Sequence, residues 1–330
     1  MNQFNIGLIG LNFGIKVHYP SILKTEGFKL SAICCRDKEK AEVLKEKLKM
    51  DCKVYCDPFE MIACKNINLV DIVSPPTSHS SFIKESIRNN KHIICEKPFG
   101  LNFQEIKDIK LNYSKKLYVN YFFRTETLMN ILKDKIINDE LGRIDKINIK
   151  WNFISVNKSK WKLKFNTGGS IIDDVFCHTL NYLNFLLRSD LKKINKFEYN
   201  KDYMERHISE ELSTNFLLKK KICVQVDIKK NFEKEQFHKI EVIGQKKRIL
   251  LNYFFPFTPT DKELIIFNDE KIEDKVTGKK KIVIDDRIEC FKKFLSEFKK
   301  KKSETLCNIK VASKTRFDLD IFKKLVKKII

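Results

Sequence analysis

The strongest constraint on the fold is an alternation of two patterns over the first 120 residues. Short apolar runs that are typical of buried strands recur between segments with helical periodicity, such as Lys38–Leu48 and Ser78–Asn89. The strand-like runs are Phe4–Ile9, Lys29–Cys35, Lys53–Tyr55, Leu69–Ser74, His92–Cys95 and Lys116–Asn120. Near-continuous apolar strands between amphipathic helices predict a doubly wound parallel sheet with helices on both faces. In such a sheet, ligands bind at the carboxyl ends of the strands.

The pattern changes after residue 122. A helix over about 125–138 precedes a long strand, Ile144–Ile154, and a second helix covers about 169–187. Strand-like runs with short turns follow at Lys193–Tyr199, Leu212–Leu218, Ile222–Ile228, His238–Ile243, Arg248–Asn252, Leu264–Phe267 and Lys281–Ile284. These runs have no helix between them, which indicates an open, mainly antiparallel sheet. Two helical patterns come last, Arg287–Lys300 and Ala312–Ile329.

Together these patterns predict two domains in the 330 residues, a length that can bury a sizeable core. We expect an α/β nucleotide-binding domain over 1–122 and an α+β domain for substrate binding and dimerisation over 123–330. The C-terminal helix could pack back on the first domain. The sequence contains no internal repeat.

The charge of the chain raises the question of nucleic-acid binding. The formal net charge is +22, but only 9 of the 65 basic residues are arginine, and the basic residues are spread over the whole length. Neither an arginine stripe with interleaved aromatic side chains nor a standard nucleic-acid motif is present. We therefore expect no nucleic-acid partner, although a basic surface attracts anionic substrates and phosphorylated cofactors.

The composition also predicts the compartment. The ten cysteines are scattered, and Cys52 and Cys56 have no second pair of ligands nearby, so we expect neither a metal site nor disulfides. No apolar stretch approaches the roughly 20 residues that a transmembrane helix needs. The amino terminus is uncharged at its start and runs directly into a strand, unlike a signal peptide. The expected location is the cytoplasm, with no membrane partner.

A glycine-rich turn follows the first strand, in the segment GLIGLNFGIKVHYPSI. Gly10 and Gly14 flank Asn12 and Phe13, and all four are candidate cofactor-binding residues. Such a turn binds the pyrophosphate of a dinucleotide, because glycines let the backbone approach and the helix start supplies free N–H groups. Asn12 replaces the second glycine of the G-x-G pattern; asparagine tolerates a left-handed conformation, but its side chain could crowd the phosphate. The alternative is an ordinary tight turn between a strand and a helix.

The ends of two further strands supply candidate residues. Arg36 follows the second strand, where an acid would bind the ribose hydroxyls of NAD and an arginine would bind the 2′-phosphate of NADP. Arg36 therefore favours NADP over NAD, although a surface arginine is the alternative, and the neighbouring Asp37 is equally well explained as a helix cap. The fourth strand ends in Ser74-Pro75, and His79 follows at the next helix. We expect these three residues beside the cofactor, although the alternative for His79 is a place in the first turn of the helix without a ligand contact.

Four segments resemble the signature segments of the Gfo/Idh/MocA oxidoreductases, which include glucose–fructose oxidoreductase-like, inositol dehydrogenase-like and dihydrodiol dehydrogenase-like enzymes. The segments are GLNFGIKVH, DIVSPPTSH, HIICEKPFG and GGSIIDDVFCHTLNYL, in the family's order across residues 1–190. The resemblance implies a Rossmann domain that binds NADP or NAD, paired with a domain built on an open antiparallel sheet. That sheet often forms the dimer interface in the family, which implies a homodimer or a homotetramer.

The resemblance also assigns roles to the EKP segment, Glu96-Lys97-Pro98. In the family, the lysine of this segment points at the nicotinamide and bonds the substrate hydroxyl. Lys97 is therefore the implied catalytic residue and the implied contact of both cofactor and substrate. Glu96 would lie nearer the cofactor, and Pro98 would fix the turn.

A pair of residues four apart, Asp174 and His178, completes the implied site. Such a pair shares one face of a helix, and an imidazole there can relay a proton to or from the substrate oxygen as hydride moves. Asp174 could orient the ring or bond the substrate, and the sequence does not decide whether Lys97 or His178 donates the proton. The family pattern has glycines where this chain has Ser170 and Phe176, and we expect the bulk of Phe176 to narrow or reshape the substrate pocket.

Two more residues are carried over by position. Trp161 falls where the family often has Trp-Arg near the cofactor, and a core position is its alternative. Arg124 matches a family arginine at the domain junction and is a candidate for substrate binding. The expected function is an NAD(P)-dependent dehydrogenase or reductase acting on a secondary alcohol or ketone of a sugar, nucleotide sugar or cyclic polyol. The alternative is a non-catalytic dinucleotide-binding regulator or scaffold of the same fold, which only Asn12 favours.

Overall fold

The computed structural model describes residues 3–109, 116–154, 160–204, 207–231, 236–254, 260–268, 270–280, 283–299 and 305–329. The first six strands are β1 (Phe4–Ile9), β2 (Phe28–Cys34), β3 (Lys53–Tyr55), β4 (Leu69–Ile72), β5 (His92–Glu96) and β6 (Leu117–Asn120). The α-helices between them are α1 (Leu11–Phe13), α2 (Tyr19–Leu23), α3 (Lys38–Lys47), α4 (Pro58–Ala63), α5 (His79–Arg88) and α6 (Phe103–Ile106). A π-helical turn, Gly14–His18, joins α1 to α2, and 3₁₀ turns cover Pro76–Ser78 and Phe122–Arg124.

The elements after residue 125 are mostly strands. Two helices and one strand come first, α7 (Thr127–Ile137), β7 (Ile144–Ile154) and α8 (Cys177–Leu187), with 3₁₀ turns at Lys160–Leu163 and Phe165–Thr167 and a π-helical turn at Ile172–Phe176. The following strands are β8 (Leu191–Met204), β9 (His207–Leu218), β10 (Cys223–Asn231), β11 (Phe237–Gly244), β12 (Arg248–Tyr253), β13 (Thr260–Asn268) and β14 (Lys271–Lys280). The last elements are α9 (Val283–Lys299), β15 (Cys307–Asn308) and α10 (Ile309–Val326).

The chain forms two compact units, each built from two separate segments. The first unit contains Met1–Thr125 and Ile284–Phe317, and the second contains Glu126–Val283 and Asp318–Ile330. The sequence pattern assigned all of 123–330 to the second domain. The difference arises because α9 carries aromatic side chains that pack in the core of the first unit.

The first unit is built on a seven-stranded sheet in the order β15-β6-β5-β4-β1-β2-β3. Strands β1 to β6 are parallel to their neighbours, and only the two-residue β15 runs antiparallel, against β6. This arrangement confirms the predicted doubly wound sheet. The strand order reverses between β1 and β4, and the crevice at the carboxyl ends there is where such sheets bind nucleotides.

Aromatic side chains from α9 complete the core of the first sheet. Phe298 lies 5.4 Å from Phe4 of β1 between ring centroids, and Phe294 lies 6.0 Å from Tyr118 of β6. All four rings are at most 7% exposed. Burial of an aromatic ring contributes roughly 1.5–3 kcal/mol, so α9 is part of the folded first unit and not an appendage to it.

The second unit is built on an eight-stranded sheet in the order β14-β13-β12-β11-β7-β10-β9-β8. Its neighbouring strands are antiparallel except for β7 and β10, which are parallel. Along β7, the buried Ile147, Ile149 and Trp151 alternate with more exposed residues, so one face of the strand is packed. The sheet confirms the prediction of a mainly antiparallel second sheet.

One predicted strand is wrong. The sequence pattern placed the last strand at Lys281–Ile284, whereas the structure has β14 at Lys271–Lys280 and begins α9 at Val283; positions 281 and 282 lie outside the described residues. β14 is an edge strand rich in charged side chains, so it lacks the apolar alternation on which the prediction depended.

Candidate functional site

The glycine-rich turn brings the backbone of β1 close to the backbone after β4. Gly10 has φ 98°, and a Cβ atom there would lie 2.6 Å from the carbonyl oxygen of Val73. Both the left-handed conformation and the close approach require glycine. Gly14 packs against β1 instead, since its Cβ would lie 3.3 Å from the Leu8 side chain. The turn therefore places the first N–H groups of the helical segment 11–23 at the carboxyl end of the sheet.

Asn12 and Phe13 lie in the first turn of this helical segment, and both are exposed. Asn12 has helical geometry, so it does not need the left-handed conformation that the sequence analysis allowed for; Gly10 supplies it. The Asn12 side-chain oxygen accepts a hydrogen bond from Lys40 Nζ at 3.4 Å. The Phe13 ring is 40% exposed at the same edge.

A buried polar cluster, which the sequence analysis missed, lies beneath this turn. The π-helical turn ends at His18, whose Nδ1 is 2.8 Å from Asp71 Oδ2 and whose Nε2 is 3.0 Å from Glu96 Oε1. Asn120 Nδ2 donates to the same Glu96 oxygen at 2.7 Å. The cluster ties the helical segment to β4, β5 and β6. An acid inside an apolar strand, Asp71 in NLVDIV, was the available sequence signal.

The pKa values of this cluster follow from its geometry. Burial lowers the pKa of His18, but the charges and hydrogen bonds of Asp71 and Glu96 outweigh burial and raise the pKa to about 9. Burial raises the pKa of Glu96, whereas His18, Arg287 and Lys97 lower it, with a net value of about 2. Burial raises the pKa of Asp71 and exceeds the opposing effect of His18. At neutral pH, His18 is therefore a cation that holds the Glu96 carboxylate in place.

The turns after β4 and β5 are joined by His79. Its Nδ1 is 3.0 Å from the carbonyl oxygen of Pro98, and its Nε2 is 2.8 Å from the carbonyl oxygen of Ser74. Burial lowers the pKa of His79, and the two carbonyls offset part of that effect. Both ring nitrogens are engaged and the residue is fully buried, so His79 braces the two turns. Ser74 and Pro75, in the turn after β4, are partly exposed. Lys97, in the turn after β5, is half-buried.

The two candidate arginines of the first unit have different surroundings. Arg36 is exposed, two residues beyond the end of β2. The neighbouring Asp37 caps α3, accepting a hydrogen bond from the N–H of Lys40 at 3.0 Å. Arg124 is 4% exposed, and its Nε donates to the carbonyl oxygen of Thr305 at 2.9 Å. Arg36 is thus accessible to a ligand, whereas Arg124 ties the segment before β15 to the turn after β6.

In the second unit, two adjacent glycines shape the start of the helix that carries Asp174. Gly168 has φ 84°, and a Cβ atom on Gly169 would lie 2.5 Å from the carbonyl oxygen of Trp161. Glycine is therefore required for the Trp161–Lys162 backbone to pack here. Lys162 Nζ lies 3.5 Å from Asp174 Oδ2 and 5.5 Å from the centre of the Trp161 ring. The 3₁₀ turn thus brings Trp161, a cation and the predicted Asp174 together.

Asp174 and His178 lie on either side of a change in helix type. Asp174 is in the π-helical turn Ile172–Phe176, and His178 is in the first turn of α8. Single π-helical turns inside helices are frequent at functional sites. Asp174 is partly buried, while His178 is 3% exposed, with its ring centre 6.2 Å from that of Trp151. The two residues are therefore placed one turn apart, as the spacing predicted.

Phe176 lies in the core of the second unit. Its ring is fully buried and packs edge-on against Phe322 at 4.8 Å between centroids. The expected effect of this residue on the substrate pocket stays a prediction. Ser170, at the other changed glycine position, is also buried and donates from Oγ to Asp173 Oδ2 at 3.4 Å. Neither substitution presents its side chain to an accessible surface.

A buried ion pair supports the two glycines from below. Lys230 Nζ of β10 lies 2.8 Å from Glu210 Oε2 of β9 and 3.4 Å from the carbonyl oxygen of Gly169. Glu210 also accepts from the N–H of Ile171 at 3.2 Å and from the Tyr199 hydroxyl at 2.8 Å. The cluster thus links strands of the second sheet to the backbone at the start of the helix that carries Asp174.

The described part of the chain has neither a metal-binding cluster nor a membrane-spanning helix. No group of three or more His, Cys, Asp or Glu side chains in this part of the chain is arranged to bind a metal ion. None of the helices within the described ranges is long and apolar enough to span a membrane.

Two models of one family together match more than half of the chain. The model described as the GFO/IDH/MocA oxidoreductase family, NAD-binding Rossmann fold, matches residues 4–120. The model described as the GFO/IDH/MocA C-terminal domain matches residues 129–250.

The curated relatives match the chain over part of its length. Glucose-6-phosphate 3-dehydrogenase of Bacillus subtilis is 27% identical over 192 residues, which is 53% of this chain and 55% of the relative. Myo-inositol 2-dehydrogenase of Thermotoga maritima is 25% identical over 194 residues, which is 57% of this chain and 56% of the relative. The chain thus spans about half the length of the curated relatives that it matches.

Solved structures share the fold over almost the whole chain. KijD10, a 3-ketoreductase from Actinomadura kijaniata in complex with NADP and TDP-benzene, has a TM-score of 0.81 at 13% identity and covers 98% of both chains. A super-repressor mutant of Gal80p from Saccharomyces cerevisiae has a TM-score of 0.82 at 16% identity and covers 98% of this chain and 96% of that chain. One fold therefore contains both a reductase and a repressor.

Proposed function

Because the chain belongs to the Gfo/Idh/MocA oxidoreductase family, we propose that it is an NAD(P)-dependent dehydrogenase or reductase. Its substrate is a secondary alcohol or ketone of a sugar, a nucleotide sugar or a cyclic polyol. The names of the curated relatives, dehydrogenases of glucose 6-phosphate and of myo-inositol, support this substrate class. The observation that carries the proposal is the cluster in which His18 fixes Glu96, next to the EKP lysine and below the glycine-rich turn.

The residues of the first unit fit a dinucleotide. Gly10 lets the backbone after β1 pass close to the carbonyl oxygen of Val73, and the helical segment after it begins with N–H groups suited to a pyrophosphate. Asn12 and Phe13 lie in that first turn, and Ser74 and Pro75 lie in the turn after β4. We assign all of them to cofactor binding.

Arg36 carries the proposed preference for NADP. The residue is exposed and lies two residues beyond the end of β2, where a 2′-phosphate is recognised in Rossmann domains. A guanidinium binds phosphate through paired hydrogen bonds. The neighbouring acid, Asp37, is engaged as a helix cap, which leaves the arginine as the residue that would discriminate between the cofactors.

The bound nicotinamide accepts or donates the hydride. On the protein side, Lys97 donates a hydrogen bond to the reacting oxygen of the substrate. His178 takes the hydroxyl proton when the alcohol is oxidised and returns it when the ketone is reduced, and Asp174 orients the substrate or the imidazole. Lys162 forms an ion pair with Asp174 at 3.5 Å, which holds that carboxylate in place. Trp161 completes the proposed set as a cofactor contact. Arg124 stays in the set as a substrate contact on its family position alone, since it is buried and bonded to the carbonyl oxygen of Thr305.

We also propose that the protein is a cytoplasmic homodimer or homotetramer that assembles through the eight-stranded sheet. The sheet resembles the one that often forms the dimer interface in this family. Light scattering of the purified protein measures the number of subunits directly, and a monomer at micromolar concentration would contradict this assembly.

The first experiment is a fluorescence titration of the purified protein with NADPH and with NADH. We expect NADPH to bind more tightly, and Arg36→Glu to weaken NADPH at least tenfold while it leaves NADH nearly unchanged, because the lost contact is with the 2′-phosphate. The matched control is Arg88→Glu, which makes the same charge change on an exposed arginine of the same unit. Equal weakening by both variants would assign the effect to net charge.

The second experiment measures turnover on a panel of sugars, sugar nucleotides and inositols. We expect Lys97→Ala to lower kcat at least a hundredfold without unfolding the protein, since general acid–base catalysis contributes about 10²–10⁴-fold. A protein that binds NADPH but turns over none of these substrates would favour the alternative, a non-catalytic dinucleotide-binding regulator or scaffold. Asn12, whose exposed side chain occupies the first turn of the phosphate-binding segment, is the observation that favours this alternative.

A further inference from the structure

Arg287 is a buried arginine that the proposed reaction does not yet use. It lies in the first part of α9, within the first unit, and is 5% exposed. Its guanidinium carbon lies 4.0 Å from the ring centre of Phe122 and 5.7 Å from that of Phe13. Phe13 follows β1 and Phe122 follows β6, so Arg287 lies at the carboxyl edge of the first sheet.

The guanidinium of Arg287 has unused donors. Among the described residues, neither its Nε nor its Nη1 has a hydrogen-bond acceptor. The guanidinium stays charged at any physiological pH, so burial cannot be relieved by loss of a proton. Stacking on aromatic faces offsets only part of the free energy that a buried donor loses when it has no acceptor. The arrangement is thus costly without a ligand.

The nearby carboxylate does not satisfy these donors. Glu96 accepts hydrogen bonds from His18, from Asn120 and from the backbone N–H of Lys97. Its oxygens are thus held by β5, β6 and the helical segment below the glycine-rich turn. Arg287 influences Glu96 through its charge, without a direct ion pair. The acceptor that fits Nε and Nη1 is a planar pair of anionic oxygens from outside the protein.

We propose that Arg287 binds the pyrophosphate of the dinucleotide, donating from Nε and Nη1 to phosphate oxygens. The proposal rests on the proposed function, because it adds a residue to the same cofactor site. It gives α9 a role in cofactor binding, although all strands of the second sheet lie between the glycine-rich turn and this helix in chain order. Phe13 and Phe122 hold the guanidinium plane in position.

The test compares Arg287→Met with Arg88→Met, which removes the same charge from an exposed site of the same unit. Binding of NADPH, ADP-ribose and inorganic pyrophosphate is measured by calorimetry. We expect Arg287→Met to weaken all three by about 10- to 100-fold, since a hydrogen-bonded charge contributes about 1.5–3 kcal/mol, and Arg88→Met to change them less than threefold. The melting temperature of ligand-free Arg287→Met should equal or exceed that of the wild type, because an unpaired buried charge is removed.

Each outcome separates this proposal from the proposed function. If the wild type binds NADPH and Arg287→Met binds it equally well, the role of Arg287 is overturned and the oxidoreductase proposal stands. If the wild type binds neither NADPH nor NADH, the proposed function is overturned. In that case, two outcomes remain. If the wild type binds pyrophosphate and Arg287→Met does not, Arg287 belongs to a phosphate site for another ligand. If the wild type does not bind pyrophosphate, the proposed site is overturned.

A conservative variant covers the case in which Arg287→Met unfolds. Arg287→Lys keeps the charge and the aliphatic stem but loses the paired donors. We expect its melting temperature to stay within a few degrees of the wild type while its affinity for ADP-ribose falls several-fold. Unchanged affinity in Arg287→Lys, with a lowered melting temperature in both variants, would show a structural role and overturn the proposal.

Discussion

At the scale of single residues, His18 is the buried charged group that the sequence analysis missed. It lies between Asp71 and Glu96 at hydrogen-bond distance, and none of the three is more than 6% exposed. A cation buried between two acids stabilises both the carboxylate of Glu96 and the position of the turn that follows it. This placement predicts a dependence of stability on pH.

The prediction for His18 concerns the alkaline range. Its folded-state pKa is about 9, above the ordinary value of 6.5, so its contribution to stability is fully present below pH 6.5 and is lost as the pH rises through 9. We expect the free energy of unfolding to fall by about 1–3 kcal/mol between pH 6.5 and 9.5, and this slope to vanish in His18→Gln. Thermal or urea unfolding at several pH values measures it.

The control for this prediction is a second buried histidine. Burial lowers the pKa of His238 to about 3, so this ring is neutral in the folded state throughout the same range. His238→Gln should lower stability equally at pH 7 and pH 9.5 and keep the wild-type slope. An alkaline slope that persists in His18→Gln would contradict the assignment.

Single residues also show what the sequence predicts and what it does not. Short motifs placed Gly10, Lys97, Asp174 and His178 on the right elements, because each motif fixes a local turn or helix face. They did not predict the burial of Phe176, because that depends on its contact with Phe322, a residue far away in the sequence. They also did not predict the π-helical turn that contains Asp174.

At the scale of elements, the pair β9 and β10 supports the helix that carries Asp174. Glu210 and Lys230 are paired across these strands with almost no exposure, and both contact the backbone of the Gly169–Ile171 segment. Breaking a buried pair leaves one uncompensated charge, so we expect Lys230→Met to cost about 3–5 kcal/mol of stability. Adding Glu210→Gln to that variant should restore most of the loss.

The control pair lies one residue away on the same strands. Lys229 and Glu211 form an ion pair at 3.0 Å, with 53% and 47% of their side chains exposed. Lys229→Met should cost less than about 1 kcal/mol, because exposed pairs contribute little. Urea unfolding compares the variants, and similar losses in Lys230→Met and Lys229→Met would show that burial of the first pair has no special effect.

Elements were predicted best where the apolar pattern was strong. The bounds of β1 and β7 agree with the predicted strands, because their side chains alternate or run apolar within the core. The bounds of β3 agree as well, although it is an edge strand in which only Tyr55 is buried. β14 was missed, since an exposed edge strand tolerates charge along its whole length. The pattern of apolar residues reports burial, and an edge strand that buries little gives almost no signal.

At the scale of the whole molecule, each unit is made from two distant parts of the chain. The first unit needs Ile284–Phe317 in addition to Met1–Thr125, since Phe294 and Phe298 complete its core. A protein of residues 1–125 alone should therefore lack a cooperative unfolding transition. A protein that joins 1–125 to 284–317 through a short flexible linker should show one, and calorimetry measures both. A cooperative transition in the shorter protein would contradict this prediction.

The division into units could not be predicted from the sequence, because each unit combines segments that are far apart in the chain. The change of rhythm after residue 122 marked where the second sheet begins, and the contribution of α9 to the first core depends on contacts between residues far apart in the chain. Local periodicity predicts an amphipathic helix, but it does not identify the surface against which that helix packs.

The two-segment construction of the first unit has a consequence for how the protein is made. Ribosomes extend a chain from its amino terminus at about 5–20 residues per second, so roughly 10–35 s separate the synthesis of Thr125 from that of Phe298. During that interval, the apolar faces of β1 and β6 are made but lack their aromatic cover. The nascent chain must therefore stay soluble with an incomplete sheet, a state in which chaperones that bind exposed strands would protect it. Synonymous changes that slow translation of the second sheet should lower the soluble yield.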